Sequence, residues 1–201
     1  MLRSRRSARG ITLPELLTTL AILSLSAGLS ASAANVFTGM LMLRSATREV
    51  SSIFILARAR AITRGAYSGV KWTSVDGAVS MALHDDGDGD GVRNDDIASG
   101  VDPLVFGPVP LKKRWPRVTV AFLPGFDRND PSGEKVGNLS DPVRFGGSDI
   151  ASFSPRGDCS PGSVWIGDGA GRQALVRLSG ATARIAVWEW AAARGSWVRT
   201  R

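Results

Sequence analysis

The 201-residue chain has one cysteine, one histidine and one tyrosine. A lone cysteine, Cys159, excludes an internal disulfide and a cysteine-rich zinc site. A lone histidine, His84, comes with no phosphate-binding loop, dinucleotide fingerprint or nucleophile motif in the sequence. These absences argue against an enzyme, and no cofactor is implied. Charge is also missing where most proteins carry it: from Ile11 to Leu43 the only charged residue is Glu15. That run is long enough to cross a bilayer, for which about 20 apolar residues suffice.

What precedes the run is basic. Arg3, Arg5, Arg6 and Arg9 lie in the first ten residues without an acid, and they supply more than half of the net charge of +7. The basic balance is therefore weak evidence for nucleic-acid binding. By the positive-inside rule these arginines keep the N-terminus cytoplasmic. A secretory signal peptide is one reading, with Ala31-Ser32-Ala33 as a small-residue cleavage pattern, but the apolar run is long and holds a carboxylate near its start. A plain signal anchor is a second reading, and it gives no reason for Gly10 or Glu15.

A third reading uses every feature. Arg9-Gly10-Ile11-Thr12-Leu13-Pro14-Glu15-Leu16-Leu17 resembles the processing motif of type IV prepilins and type II secretion pseudopilins. The resemblance implies cleavage between Gly10 and Ile11 by a prepilin peptidase on the cytoplasmic side, and N-methylation of Ile11. The family usually has Phe where this chain has Ile11. Glu15 then becomes the fifth residue of the mature chain. A carboxylate in hydrocarbon is costly and is normally paired or functional. In pilin-like assemblies the implied partner is the new amine of a neighbouring subunit, which sets axial register. An interfacial glutamate that snorkels to the headgroups is the plainer alternative.

The helical pattern continues beyond the membrane. Val50, Ile53, Phe54, Ala57, Ala61 and Ile62 recur at three- and four-residue steps, while Arg44, Arg48, Arg58, Arg60 and Arg64 mostly fall on other faces. Gly65 is the expected stop. A helix from Thr12 to Arg64 would extend roughly 80 Å. After it come strand patterns and turns. Val70 to Thr73 and Val79 to Leu83 read as a pair around Asp76-Gly77, Arg117 to Phe122 as a strand, and Val164 to Ile166, Ala174 to Leu178 and Arg184 to Trp190 as a meander. Residues 124–149, rich in Gly, Pro, Asp and Asn, read as a long loop. One antiparallel sheet packed on the second half of the helix is expected, an α+β arrangement.

Phe153-Ser154-Pro155-Arg156-Gly157 and the Gly- and strand-rich stretch to Trp190 resemble the C-terminal half of GspH/FimT-type pseudopilins. The two resemblances together imply a pilin-like fold: leader 1–10, long helix 11–64 with about 12–34 transmembrane, and a periplasmic β-rich domain 65–201. They imply a minor pseudopilin of a type II secretion system, single-pass in the bacterial inner membrane. Its partners would be the peptidase, other pseudopilins or minor pilins, and the inner-membrane platform of the secretion or pilus machine.

Two motifs stand outside this scheme. Asp86, Asp88 and Asp90, with Gly91 next and Asn94 at the ninth position, match the start of an EF-hand-type loop. The twelfth position is Ile97 where the bidentate Glu belongs, so the segment reads as an acidic solvated turn, with weak calcium binding as the alternative. From Ala170 onward, Arg172, Arg177, Arg184, Arg194, Arg199 and Arg201 accompany Trp188, Trp190 and Trp197. Arginine with aromatics suits nucleic acid, and the FimT branch includes minor pilins of DNA uptake. A sheet face with solvated arginines is the plainer reading.

Overall fold

The computed structural model describes residues 11–75, 77–124 and 129–200. Gly10, Asp76, the stretch 125–128 and Arg201 lie outside the described residues, and with Gly10 goes one side of the expected cleavage point. The chain divides between Thr38 and Gly39 into two compact units.

A single helix, α1, runs over Leu13–Arg64. Pro14 sits in its first turn, where a missing N–H leaves no bond unmade, and no other proline interrupts it. It ends at Gly65, which adopts φ +69° while its N–H bonds the Ala61 carbonyl at 3.0 Å. Few other residues enter that left-handed region cheaply. Within the second unit the helix buries one stripe: Leu43, Ala46, Val50, Ile53, Phe54, Ala57 and Ala61. Ile62, expected on this stripe, is 48% exposed, because each helical step turns the side chain by about 100° and carries it off the face that buries Phe54 and Ala61.

The remainder is antiparallel, as expected, but it forms two sheets instead of one. The first has the order β3-β2-β1-β6, from β1 (Ser68–Val75), β2 (Ala78–Asp85), β3 (Leu104–Pro110) and β6 (Ile150–Phe153). The β1–β2 pair has the expected hairpin form, with Val75 opposite Ala78. The second sheet is built on β7 (Gly162–Gly167), β8 (Gln173–Ser179), β9 (Arg184–Ala191) and β10 (Ser196–Arg199). Its first three strands are the expected meander. Two short strands share the free edge of β7: β4 (Thr119–Val120) and β5 (Val143–Phe145). The expected strand 117–122 thus shrinks to two residues, and the expected loop 124–149 contains a strand. Short helices α2 (Asn94–Ser99) and α3 (Leu111–Arg114) fill connections.

Phe54 shows how the layers meet. Its ring lies 6.4 Å from Trp72 on β1, 6.0 Å from Phe153 on β6 and 5.8 Å from Phe145 on β5. One helix side chain therefore touches both sheets, and such aromatic pairs add to the burial of their area. The helix arginines extend this contact. Arg58 Nε donates to the Gly157 carbonyl at 3.0 Å, and Arg44 reaches Glu189 on β9 at 3.2 Å.

Candidate functional site

The start of α1 is the first candidate. Ile11 is exposed and precedes the helix; Glu15 lies in the first helical turn, with its backbone carbonyl accepting from Thr18 Oγ1 at 3.0 Å. All described side chains from 11 to 38 are exposed. By length and composition α1 can cross a membrane, and it is the one described helix that can. Its hydroxyls fit that environment. Thr19, Ser24, Ser26, Ser30 and Thr38 each donate to a backbone carbonyl three or four residues earlier, at 2.6–2.9 Å. A donor satisfied within its own helix costs little to place in hydrocarbon.

At the other end of the helix sits a buried ionic cluster that the periodicity gave no sign of. Asp85, at the end of β2, is 1% exposed. Arg60 grips it with Nε to Oδ1 at 2.8 Å and Nη2 to Oδ2 at 2.7 Å; Arg64 Nη1 adds 2.6 Å and the Ser68 hydroxyl 2.9 Å. Burial by itself would raise the Asp85 carboxyl; Arg60, Ser68 and Arg64 outweigh it and hold the group below its ordinary value. The fork geometry of Arg60 suits this bidentate role. The cluster fastens the helix end to the first sheet.

The acidic segment that follows is a built loop. Asp86 accepts from the N–H groups of Gly89 at 2.7 Å and Gly91 at 3.1 Å. Asp102, buried, accepts from Gly87 at 3.1 Å and Arg93 at 2.8 Å. Among the described residues, two carboxylate triads fall within 4.8 Å: Asp86, Asp88 and Asp102, and Asp88, Asp90 and Asp96. Asp86 and Asp90 therefore fall in different groups, and Asp88 is shared by both. Asn94 opens α2, and the chain past that helix brings in Asp102, which no local spacing could have signalled. Burial and neighbouring acids raise the Asp90 and Asp96 carboxyls, with Arg93 opposing. The spacing could hold a hard cation, but backbone donors already satisfy Asp86 and Asp102. His84 is buried and donates from Nδ1 to the Asp102 carbonyl at 3.1 Å, a structural bond.

The arginine- and tryptophan-rich end lies on the outer face of the second sheet. Trp165 and Trp190 each pack edge-on to Trp197 with centroids 5.4 Å apart. Trp165 and Leu175 form a small second core with Val136. Arg177 bonds Asp130, and Arg172 bonds Asp168 at 2.6 Å. The rings and two of the arginines are engaged within the domain, while Arg184 and Arg194 are exposed. Cys159 is buried and its thiol is pushed up to about 11, chiefly by that burial, so it stays protonated and unreactive.

No known protein family, curated protein or solved structure matches the chain.

Proposed function

We propose that this protein is a minor pseudopilin of the GspH/FimT type, anchored by α1 in the inner membrane with residues 65–201 in the periplasm. The observation that carries the reading is one uninterrupted helix with two surfaces: exposed, apolar and hydroxyl-satisfied over its first half, and packed by one stripe against antiparallel sheets over its second. A subunit that waits in lipid and then joins a filament needs that arrangement, since the same apolar helix must serve both surroundings. In the proposed sequence the peptidase cuts after Gly10 and the amine of Ile11 is methylated. Glu15 then meets the amine of a neighbouring subunit as the chain enters a short pseudopilus, which it helps to cap or initiate. A DNA-uptake role is the runner-up. It draws less support because Arg172, Arg177 and the stacked tryptophans are already engaged within the domain.

N-terminal sequencing and mass measurement of the mature protein test the reading. A chain beginning at a methylated Ile11 is expected. A chain beginning near Asn35 identifies a secretory signal peptide and overturns the proposal, as does an unprocessed Met1 in cells with an active prepilin peptidase.

A further inference from the structure

Among the described residues, one buried side-chain polar atom has no hydrogen-bond partner: Nε1 of Trp72. The residue is 2% exposed, and a donor closed to water and unpaired is expensive to maintain. Trp72 also lines a cleft of about 490 Å³ between the two sheets. Ser74 and Val79 of the β1–β2 hairpin contribute to one wall, and Val120 of β4 with Asp141 and its neighbours to the other.

The backbone along this cleft is also incomplete. The paired register of β6 on β1 ends where Ile150 meets Lys71, and the Trp72 N–H bonds the Asp149 carbonyl at 2.9 Å. That N–H points away from β2. Bonding direction in an antiparallel strand repeats every two residues, so the N–H and C=O of Ser74 point the same way, past the end of β6. The charged residues lining the cleft are both acidic, Asp141 and Asp149, with side chains 48% and 57% exposed. Each carboxylate has one long ion pair, Asp141 with Arg144 at 3.8 Å and Asp149 with Lys71 at 4.0 Å, from residues outside the lining. The Arg144 Nε hydrogen bond, at 3.0 Å, goes to the Asp141 backbone carbonyl and leaves the carboxylate oxygens without a short charged partner among the described residues.

We propose that this cleft docks an extended segment of a partner polypeptide in which an apolar residue is flanked by lysine or arginine. The segment continues the sheet from Ser74, as an added strand does at an open edge. Docking displaces the wall that covers Trp72 Nε1, and one of the segment's carbonyls then accepts from it. Its apolar side chain rests on Val79 and Val120, and its basic group meets Asp141 and Asp149 in charge-assisted contact. The inference is separate from the pseudopilin reading: processing at Gly10 can fail while the cleft still binds, and the mature N-terminus of the same sample reports on processing alone.

The test uses the full chain in detergent micelles, isotope-labelled at tryptophan. The probe is the acetylated, amidated pentapeptide threonine-valine-lysine-valine-threonine, with a control in which glutamate replaces lysine. One indole N–H resonance, assigned by its loss in Trp72→Phe, is expected to move on titration. Trp72→Phe should bind about tenfold more weakly, the size of one neutral hydrogen bond. Asp141→Asn with Asp149→Asn should bind at least as weakly and lose the salt dependence. These two exposed positions keep the test decisive where Trp72→Phe misfolds. No moving resonance at millimolar peptide overturns the proposal, as does equal binding of the lysine and glutamate peptides, or indifference to the paired Asn changes. Self-association of the free protein that the same variants abolish also overturns it, because a second copy is then the occupant.

Discussion

The two halves of α1 share a backbone conformation and little else. From Leu13 to Thr38 all described side chains are exposed, and a single charge, Glu15, is present. From Gly39 to Arg64 a stripe is buried, and arginines reach out to Glu189, Gly157 and Asp85. An all-round apolar helix finds its solvent outside the protein, while a striped helix finds it in a core. Apolar content alone therefore does not decide which helix residues hold the domain together; the spacing of arginine around the apolar stripe does. The sharpest way to break this comparison is one truncation in each half. Phe54→Ala should destabilise the unit 39–201 by about 3–5 kcal/mol, since three rings lose their shared neighbour. Leu23→Ala, at an exposed position, should leave it within about 0.5 kcal/mol. Denaturant unfolding of the full chain in detergent, followed by tryptophan fluorescence, reads this unit selectively because all six tryptophans lie in it. Equal losses from the two changes would refute the division.

The second half also differs in being pH-sensitive. Asp85→Asn should cost about 3 kcal/mol at neutral pH, because two guanidinium groups lose the buried charge they converge on; their partial exposure keeps the loss at the low end for a buried pair. The folded carboxyl keeps its charge at a pH where the unfolded chain, with an aspartate near 3.9, has taken up a proton. The unfolded state therefore binds more protons in that window. Stability is complete above the unfolded value and is lost as pH falls through the folded one. Asp130 and Asp168 are lowered in the same sense: burial opposes the shift, and Ser132 with Arg177, and Arg172 with backbone N–H groups, prevail. Unfolding curves between about pH 5 and pH 3 should steepen for the native chain and flatten for Asp85→Asn. Parallel curves would show that the cluster is not a source of the acid sensitivity.

Much of this architecture is legible in the sequence. The helix follows from the unbroken apolar and striped runs and the stop at Gly65, and its expected start at Thr12 lies one residue from the observed Leu13. The meander followed from alternating Val, Trp and Ile separated by glycine turns. What escaped has physical reasons. β3 carries Gly107, Pro108 and Pro110, residues that argue against a central strand, and it survives because it is an edge that pairs on one side only. β5 has three residues inside a Gly- and Pro-rich stretch, too few to show a period. Local alternation is blind to which strands pair across long separations, so it implies one sheet where the chain forms two. The same blindness hid Arg60 with Asp85, and Asp102 behind the acidic loop. Glu15 was singled out by sequence and sits in the first turn, as expected, while the chemistry proposed for it depends on a neighbouring subunit.

The boundary between the two halves offers the smallest effect and the most direct measure of how tightly the domain holds its helix there. Gly39 opens the second unit, and a Cβ at that position would lie 2.9 Å from Arg172 Nη2 and 3.3 Å from Asp168 Oδ2. Replacing a mid-helix glycine with alanine favours the helix by up to about 1 kcal/mol. Against this stands the cost of moving a guanidinium that Asp168 holds at 2.6 Å. The end of an arginine side chain yields more easily than backbone, so the two effects nearly cancel. Gly39→Ala should change the stability of the unit by less than about 1 kcal/mol in the same unfolding assay. A loss above about 2 kcal/mol would mean that the β7–β8 turn is clamped on the helix and cannot give way. A gain approaching the full helix preference would mean that Arg172 swings aside freely and that the domain's grip on the helix begins only further along, at Leu43.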